Sequence, residues 1–165
     1  MLIERILPNP NITLAGDRAV ENSWISAHMP VGPGTALDFG TGNSHLWLAA
    51  AMKGYEVMGV DLRTPLGYYD HPGIKFVLGD ILDIDIPPNG FDLIINCSSV
   101  EHVGLAGRYG VSKTDKDGDL QVMKLLLQLV KPTGTMLLTI PIGTDSVFAP
   151  LHRVYGQDRL PLLLA

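Results

Sequence analysis

The sequence predicts an α/β domain with a doubly wound, mostly parallel sheet. Three observations carry that expectation. Short apolar runs alternate with helical stretches from residue 35 onward. The first run, Ala36-Leu37-Asp38-Phe39, opens directly into a glycine turn, Gly40-Thr41-Gly42. The connections between successive units are short, and right-handed crossovers then give a strand order 3-2-1-4-5 with helices on both faces.

The elements follow in order. Residues 1–34 lack clean periodicity and carry Pro8, Pro10, Pro30 and Pro33. They read as an N-terminal cap, with a short helix over 17–26 that buries Trp24 and Ile25. The first strand is Ala36–Phe39. A helix runs from Ser44 to Lys53, capped by Asn43 or Ser44 and stopped by Gly54. Glu56–Asp61 is the second strand and Ile74–Leu78 the third. Pro87-Pro88-Asn89-Gly90 is a turn before the fourth strand, Phe91–Cys97. Leu120–Val130 has helical apolar spacing and ends at Lys131-Pro132-Thr133-Gly134. Thr135–Ile142 is the fifth strand. The tail, 144–165, holds a short helix interrupted by Pro161 and no recognisable strand. A single domain is expected, with 1–34 as cap, 35–143 as core and 144–165 as tail.

Composition narrows the function. Hydrophobic residues make up 46% of the 165, enough for a core, so wholesale disorder is excluded. The formal net charge is −5 and no basic block occurs, so nucleic acid is not an expected partner. The lone cysteine, Cys97, excludes an intramolecular disulfide and a four-thiolate zinc site. No apolar run reaches the ~18 residues of a membrane span. Glu4 and Arg5 break the apolar start, so neither a signal peptide nor a membrane partner is expected, and the chain reads as cytoplasmic.

The strand order places a ligand crevice at the carboxyl ends of strands 1 and 4, where the order reverses. Four features converge there: Asp38-x-Gly40-x-Gly42, Asp61, Gly79-Asp80 and the stretch Asn96–His102. Glycines allow close approach to backbone amides, and a carboxylate closing strand 2 suits ribose hydroxyls. A nucleoside ligand fits. A dinucleotide fingerprint would need glycine at position 45, where His45 stands. A carboxylate at Asp38 would repel a pyrophosphate but suits an ammonium and a sulfonium. Charge logic therefore favours S-adenosylmethionine over NAD.

The ordered series Leu37-Asp38-Phe39-Gly40-Thr41-Gly42-Asn43, Val57-Met58-Gly59-Val60-Asp61, Gly79-Asp80, Phe91-Asp92-Leu93-Ile94-Ile95 and Leu129-Val130-Lys131-Pro132-Thr133-Gly134-Thr135 resembles class I S-adenosylmethionine-dependent methyltransferases, a Rossmann-like family. Thr133 stands where that family commonly has glycine. Ser99-Val100-Glu101-His102-Val103-Gly104, with Gly107-Arg108-Tyr109-Gly110 and His152-Arg153-Val154-Tyr155-Gly156, is similar to a methyltransferase-like group of unknown function. The resemblance implies roles by position. Gly40 and Gly42 hold the methionine part, with Asp38 at its ammonium. Asp61 binds the ribose and Leu62 packs on the adenine. Asp80 bonds the adenine amino group and Ile81 lies against the ring. Asn96 and Ser98 line the transfer crevice. The family's sheet continues into strands 6 and 7, which this sequence lacks. Strand 5 would then be an apolar edge, covered by the tail or by a second copy in a homodimer.

His102 is the candidate base for an acceptor proton, against a role in capping or packing under the loop. Glu101 either orients it or is a helix-start acid. Glu101, His102 and His152 are the residues a metal could use, but their spacing is poor and no metal is expected. Arg108 and Tyr109 read as acceptor recognition or as a surface turn. Arg153 and Tyr155 read as closing the crevice or as packing. Cys97, inside a strand, reads as a small buried hydrophobe. The expected reaction is methyl transfer to oxygen or nitrogen of a small, sugar-like acceptor. The competing readings are a non-catalytic binding module and an NAD-dependent oxidoreductase.

Overall fold

A computed structural model describes residues 18–66 and 70–165. Strand β1 (Gly34–Phe39) lies at the centre of a five-stranded parallel sheet. Its neighbours are β2 (Tyr55–Asp61) and β4 (Phe91–Cys97), and the order is β3-β2-β1-β4-β5. Strand β3 (Ile74–Leu78) and β5 (Val130–Thr139) form the two edges. This is the order the sequence predicts, and β3 and β4 have the predicted bounds.

Strand alternation sorts the core into two layers. Ala36, Val57, Leu93, Ile95 and Cys97 face helix α1 (Arg18–His28) and helix α2 (Leu46–Met52). Leu37, Val60 and Ile94 face helix α3 (Gly118–Leu129) and helix α4 (Arg159–Leu163). Phe91 breaks the parity of β4 because the β4–β5 register shifts between Phe91 and Leu93. That shift also explains Lys131–Gly134: the expected turn is instead the irregular start of β5. Gly134 is required there, since a Cβ would meet Val130 Cγ2 at 2.8 Å.

Two expectations are corrected on the helices. Ile25 is fully buried, but Trp24 is 43% exposed and stacks on the His28 ring at 4.4 Å. Helix α2 starts later than predicted, and His45 is its N-cap, with no side-chain cap bond. Trp47 then fills the space that Gly59 leaves open on β2. Expected residues 17 and Asp17's helix start, like all of 1–17, lie outside the described residues.

The tail departs most from expectation. It holds two short strands, β6 (Ser146–Phe148) and β7 (His152–Val154), paired antiparallel as a hairpin separate from the sheet. Beyond them Tyr155 bridges to Ile142, just past the end of β5. The tail therefore does not run along the β5 edge. Arg153 anchors it instead: this buried guanidinium donates to the carbonyls of Val103, Asp115 and Lys116. Asp119, fully buried on α3, accepts from Tyr155 Oη at 3.0 Å and from Arg159 Nε at 2.9 Å. Burial beside the Asp119 charge pushes the Tyr155 hydroxyl well above the usual range. Pro161 sits in the first turn of α4, where a missing N–H costs nothing.

Candidate functional site

A cleft of about 500 Å³ opens at the carboxyl ends of β1, β2 and β4. That size falls within the range of small-molecule and cofactor sites. The glycine loop after β1 forms its floor. Gly40 and Gly42 both have positive φ, +70° and +51°. A Cβ on Gly40 would collide with Ser99 Oγ and Cβ, so the loop passes close beneath the segment after β4.

Asp61 closes β2 and faces this loop. Its Oδ2 accepts from the Gly42 amide at 2.8 Å, and its Oδ1 from the Arg63 amide at 2.9 Å. Leu62 follows, 41% exposed along the cleft wall. Asp80 N-caps the short 3-10 turn Ile81–Asp83, with Oδ1 accepting from the Leu82 amide at 3.0 Å. Ile81 is nearly fully buried yet lines the cleft. Ser98 lies opposite, in a left-handed conformation at φ +46°, its hydroxyl bonded to Glu21 of α1. Gly40, Gly42, Asp61, Leu62, Asp80, Ile81, Ser98 and His102 thus line one cleft.

Asp38, Asn96 and Glu101 stand behind that wall and do not line it. Asp38 is buried within β1, its Oδ2 unpartnered. Burial, then the nearby Asp61 charge, pushes its carboxyl up to about 7, against a backbone hydrogen bond from Trp47. Asn96 is fully buried and its Oδ1 accepts from the Val100 amide at 3.3 Å, which shapes the turn after β4. Glu101 is 2% exposed, and burial pushes its carboxyl up to about 7. Its Oε2 has no partner and its Oε1 lies 3.8 Å from His102 Nε2.

His102 sits in the 3-10 turn Val100–His102. Its Nδ1 bonds the Leu151 carbonyl, from the tip of the tail hairpin. A carbonyl only accepts, so Nδ1 carries the proton and the neutral ring keeps its lone pair on Nε2. Burial lowers the pKa of His102 below its ordinary 6.5, against the Leu151 bond. The ring therefore stays neutral at physiological pH.

Sequence reasoning missed several cleft residues. Arg18 and Asn22 reach the cleft from α1, in a segment that reads as an N-terminal cap. Arg63 and Lys113 reach it from loops. The Leu151 carbonyl is a backbone group with no sequence signal. Arg153 and Tyr155 act in packing, the second of their two readings. Among the described residues no group of three or more His, Cys, Asp or Glu side chains comes together as a metal site. No described helix is long and apolar enough to cross a membrane.

The comparisons bear on the fold. The family model described as "Caenorhabditis protein of unknown function, DUF268" matches residues 86–165. No curated protein matches the chain. Among solved structures, the Burkholderia thailandensis 1,6-didemethyltoxoflavin-N1-methyltransferase, with bound 1,6-didemethyltoxoflavin and S-adenosylhomocysteine, is similar over 90% of this chain at 19% identity and TM-score 0.62. The chain spans 65% of that protein's length. The Haemonchus contortus phosphoethanolamine N-methyltransferase 2, in complex with S-adenosyl-L-methionine, is similar over 88% of this chain and 35% of its own, at 18% identity and TM-score 0.64. A TehB-like S-adenosylmethionine-dependent methyltransferase from Corynebacterium glutamicum is similar over 70% of this chain and 59% of its own, at 26% identity and TM-score 0.51. The sheet order, the cleft at the switch point and these similarities agree: the chain has the fold of the class I S-adenosylmethionine-dependent methyltransferases.

Proposed function

We propose that the chain binds S-adenosylmethionine in this cleft and transfers its methyl group to an oxygen or nitrogen of a small-molecule acceptor. The observation that carries the reading is the meeting, in one cleft, of the Asp61-tethered glycine loop with the His102 ring, whose Nδ1 the Leu151 carbonyl holds. The residues present fit the cofactor. Two positive-φ glycines leave the loop open to close approach. The buried Thr41 Oγ1, on the cleft-lining loop, lacks a partner, as a group facing a polar ligand or its water would. The neighbouring Burkholderia and Haemonchus structures hold S-adenosylhomocysteine and S-adenosylmethionine.

Each residue then has a task. Asp61 keeps lone pairs free beyond its two amide bonds and takes the ribose hydroxyls. Asp80 keeps Oδ2 for the adenine amino group, with Leu62 and Ile81 against the ring. Gly40 and Gly42 hold the methionine part. Asp38 acts through the strand end, shaping the loop from behind without touching the ammonium. Asn96 and Ser98 set the turn that aims the 3-10 segment at the cleft. When bound, S-adenosylmethionine supplies an activated methyl on a sulfonium, so the protein mainly has to hold the acceptor in line. His102 Nε2 takes the acceptor's proton. Glu101 is a positioning residue behind the imidazole.

The contact of His102 Nε2 with the buried Glu101 carboxyl, at 3.8 Å, favours a second reading, a binding module without turnover. Calorimetric titration with S-adenosylmethionine, followed by single-turnover assay of His102→Ala and wild type on an acceptor panel, separates the two. Binding with transfer that His102→Ala removes supports the enzyme. Binding without transfer on any acceptor supports the module.

A further inference from the structure

Tyr109 is held in the cleft wall at φ +56°, between Gly107 at +94° and Gly110 at +83°. A left-handed tyrosine is uncommon, and such strain persists where the surroundings impose it. Two guanidiniums lie over its ring. Arg63, from the loop after β2, is 4.4 Å from the centroid, and Arg108 is 4.5 Å away. The ring's edge-on contact with His102, at 5.4 Å and 64°, places this assembly beside the candidate base.

Two like charges gathered on one ring repel each other. Among the described residues, no carboxylate pairs with Arg63, Arg108 or the cleft-lining Lys113. The ring's π-face offsets part of that repulsion but cannot neutralise it. Stacking also leaves the N–H edges of a guanidinium free, the edges that fit two oxygens of one oxyanion. Arg108 spends one N–H on the Leu151 carbonyl at 3.2 Å, so the same carbonyl aligns this cation and His102.

We propose that Arg63, Arg108 and Lys113 form an oxyanion subsite, and that the methyl acceptor carries a phosphate-like dianion. The proposal rests on the methyl-transfer reading and names its substrate class. An anion bound over Tyr109 would place the rest of the acceptor beside His102. It would also bridge the lip after β2 to the lip after β4, closing the cleft mouth.

The test uses the full chain and inorganic phosphate as probe, followed by 31P NMR with and without S-adenosylhomocysteine. Glucose serves as the uncharged control. The expected result is saturable phosphate binding, weakened about ten-fold or more in Arg63→Gln and in Arg108→Gln, as loss of a charge-assisted pair implies. Circular dichroism confirms that the variants fold, and the exposed Arg63 carries the conclusion if Arg108→Gln does not. Phosphate that fails to saturate the folded wild type, or that binds Arg63→Gln as well as wild type, overturns the proposal. Titration with S-adenosylhomocysteine in the same samples separates the two readings. Cofactor binding without phosphate binding removes the anion subsite alone. Phosphate binding without cofactor binding removes the methyl-transfer role and with it the acceptor assignment.

Discussion

The Gly42 amide donates to Asp61 Oδ2 at 2.8 Å, tying the loop after β1 to the end of β2. The bond spans 19 residues of sequence and fixes the loop where a nucleoside would lie. Asp61 therefore both shapes the cleft and presents a carboxylate to it. Asp61→Ala should weaken S-adenosylhomocysteine binding by at least ten-fold, as loss of a charge-assisted hydrogen-bond acceptor implies, while costing only about 1–3 kcal/mol of stability. Calorimetry and urea denaturation check the two halves separately.

His102 should behave as a neutral base held by the tail. Replacement by alanine should lower kcat about 100-fold or more at saturating cofactor, with cofactor affinity little changed. Because burial lowers the pKa of His102, activity should fall only as pH drops below 6.5. An acid limb above that value, or unchanged kcat in His102→Ala, contradicts the role. A pH–rate profile on an identified acceptor provides the measurement.

Buried carboxyls should leave a mark on stability. Burial raises Asp38 from 3.8 to about 7 and Glu101 from 4.5 to about 7. The folded state thus holds protons that the unfolded chain has already released. This contribution is complete below the unfolded pKa values and is lost as pH rises through about 7. Stability should fall between about pH 4 and about pH 7, and Asp38→Asn should flatten that slope. Urea denaturation across the pH series reads it directly. A rising slope in wild type would contradict the protonated state of these groups.

Arg153 should matter far more than a hairpin residue normally does. It is 1% exposed, its Nε lies 3.7 Å from Asp119, and it binds four carbonyls of the segment after β4. Arg153→Met leaves Asp119 with fewer partners and should cost about 3–5 kcal/mol. By loosening the hairpin it should also release the Leu151 carbonyl from His102. Chemical denaturation and the His102 ring resonances report the two effects.

Much of this architecture was legible because the elements obey their own periodicities. β3 and β4 are bounded by turn residues and fall at the expected positions. The loop glycines, Asp61 and Asp80 were legible because strand order and strand ends fix where they point. Side-chain depth was not. Asp38 and Asn96 alternate along their strands, but whether such a residue opens to the cleft or lies behind it depends on the neighbouring loop. Trp24 lies on the exposed side of a helix whose partner surface the sequence did not reveal. The tail hairpin was invisible because β6 and β7 have three residues each, too short for an alternating pattern. Its order comes from the buried Arg153 and Asp119, pairings between positions 34 residues apart that local sequence does not encode.

The most direct test of the central claim is calorimetric titration of the full chain with S-adenosylhomocysteine, set beside NADH and the Asp61→Ala variant. The account predicts saturable binding of S-adenosylhomocysteine, its loss in Asp61→Ala, and no binding of NADH. A well-folded chain that binds NADH, or that binds neither ligand, would contradict it.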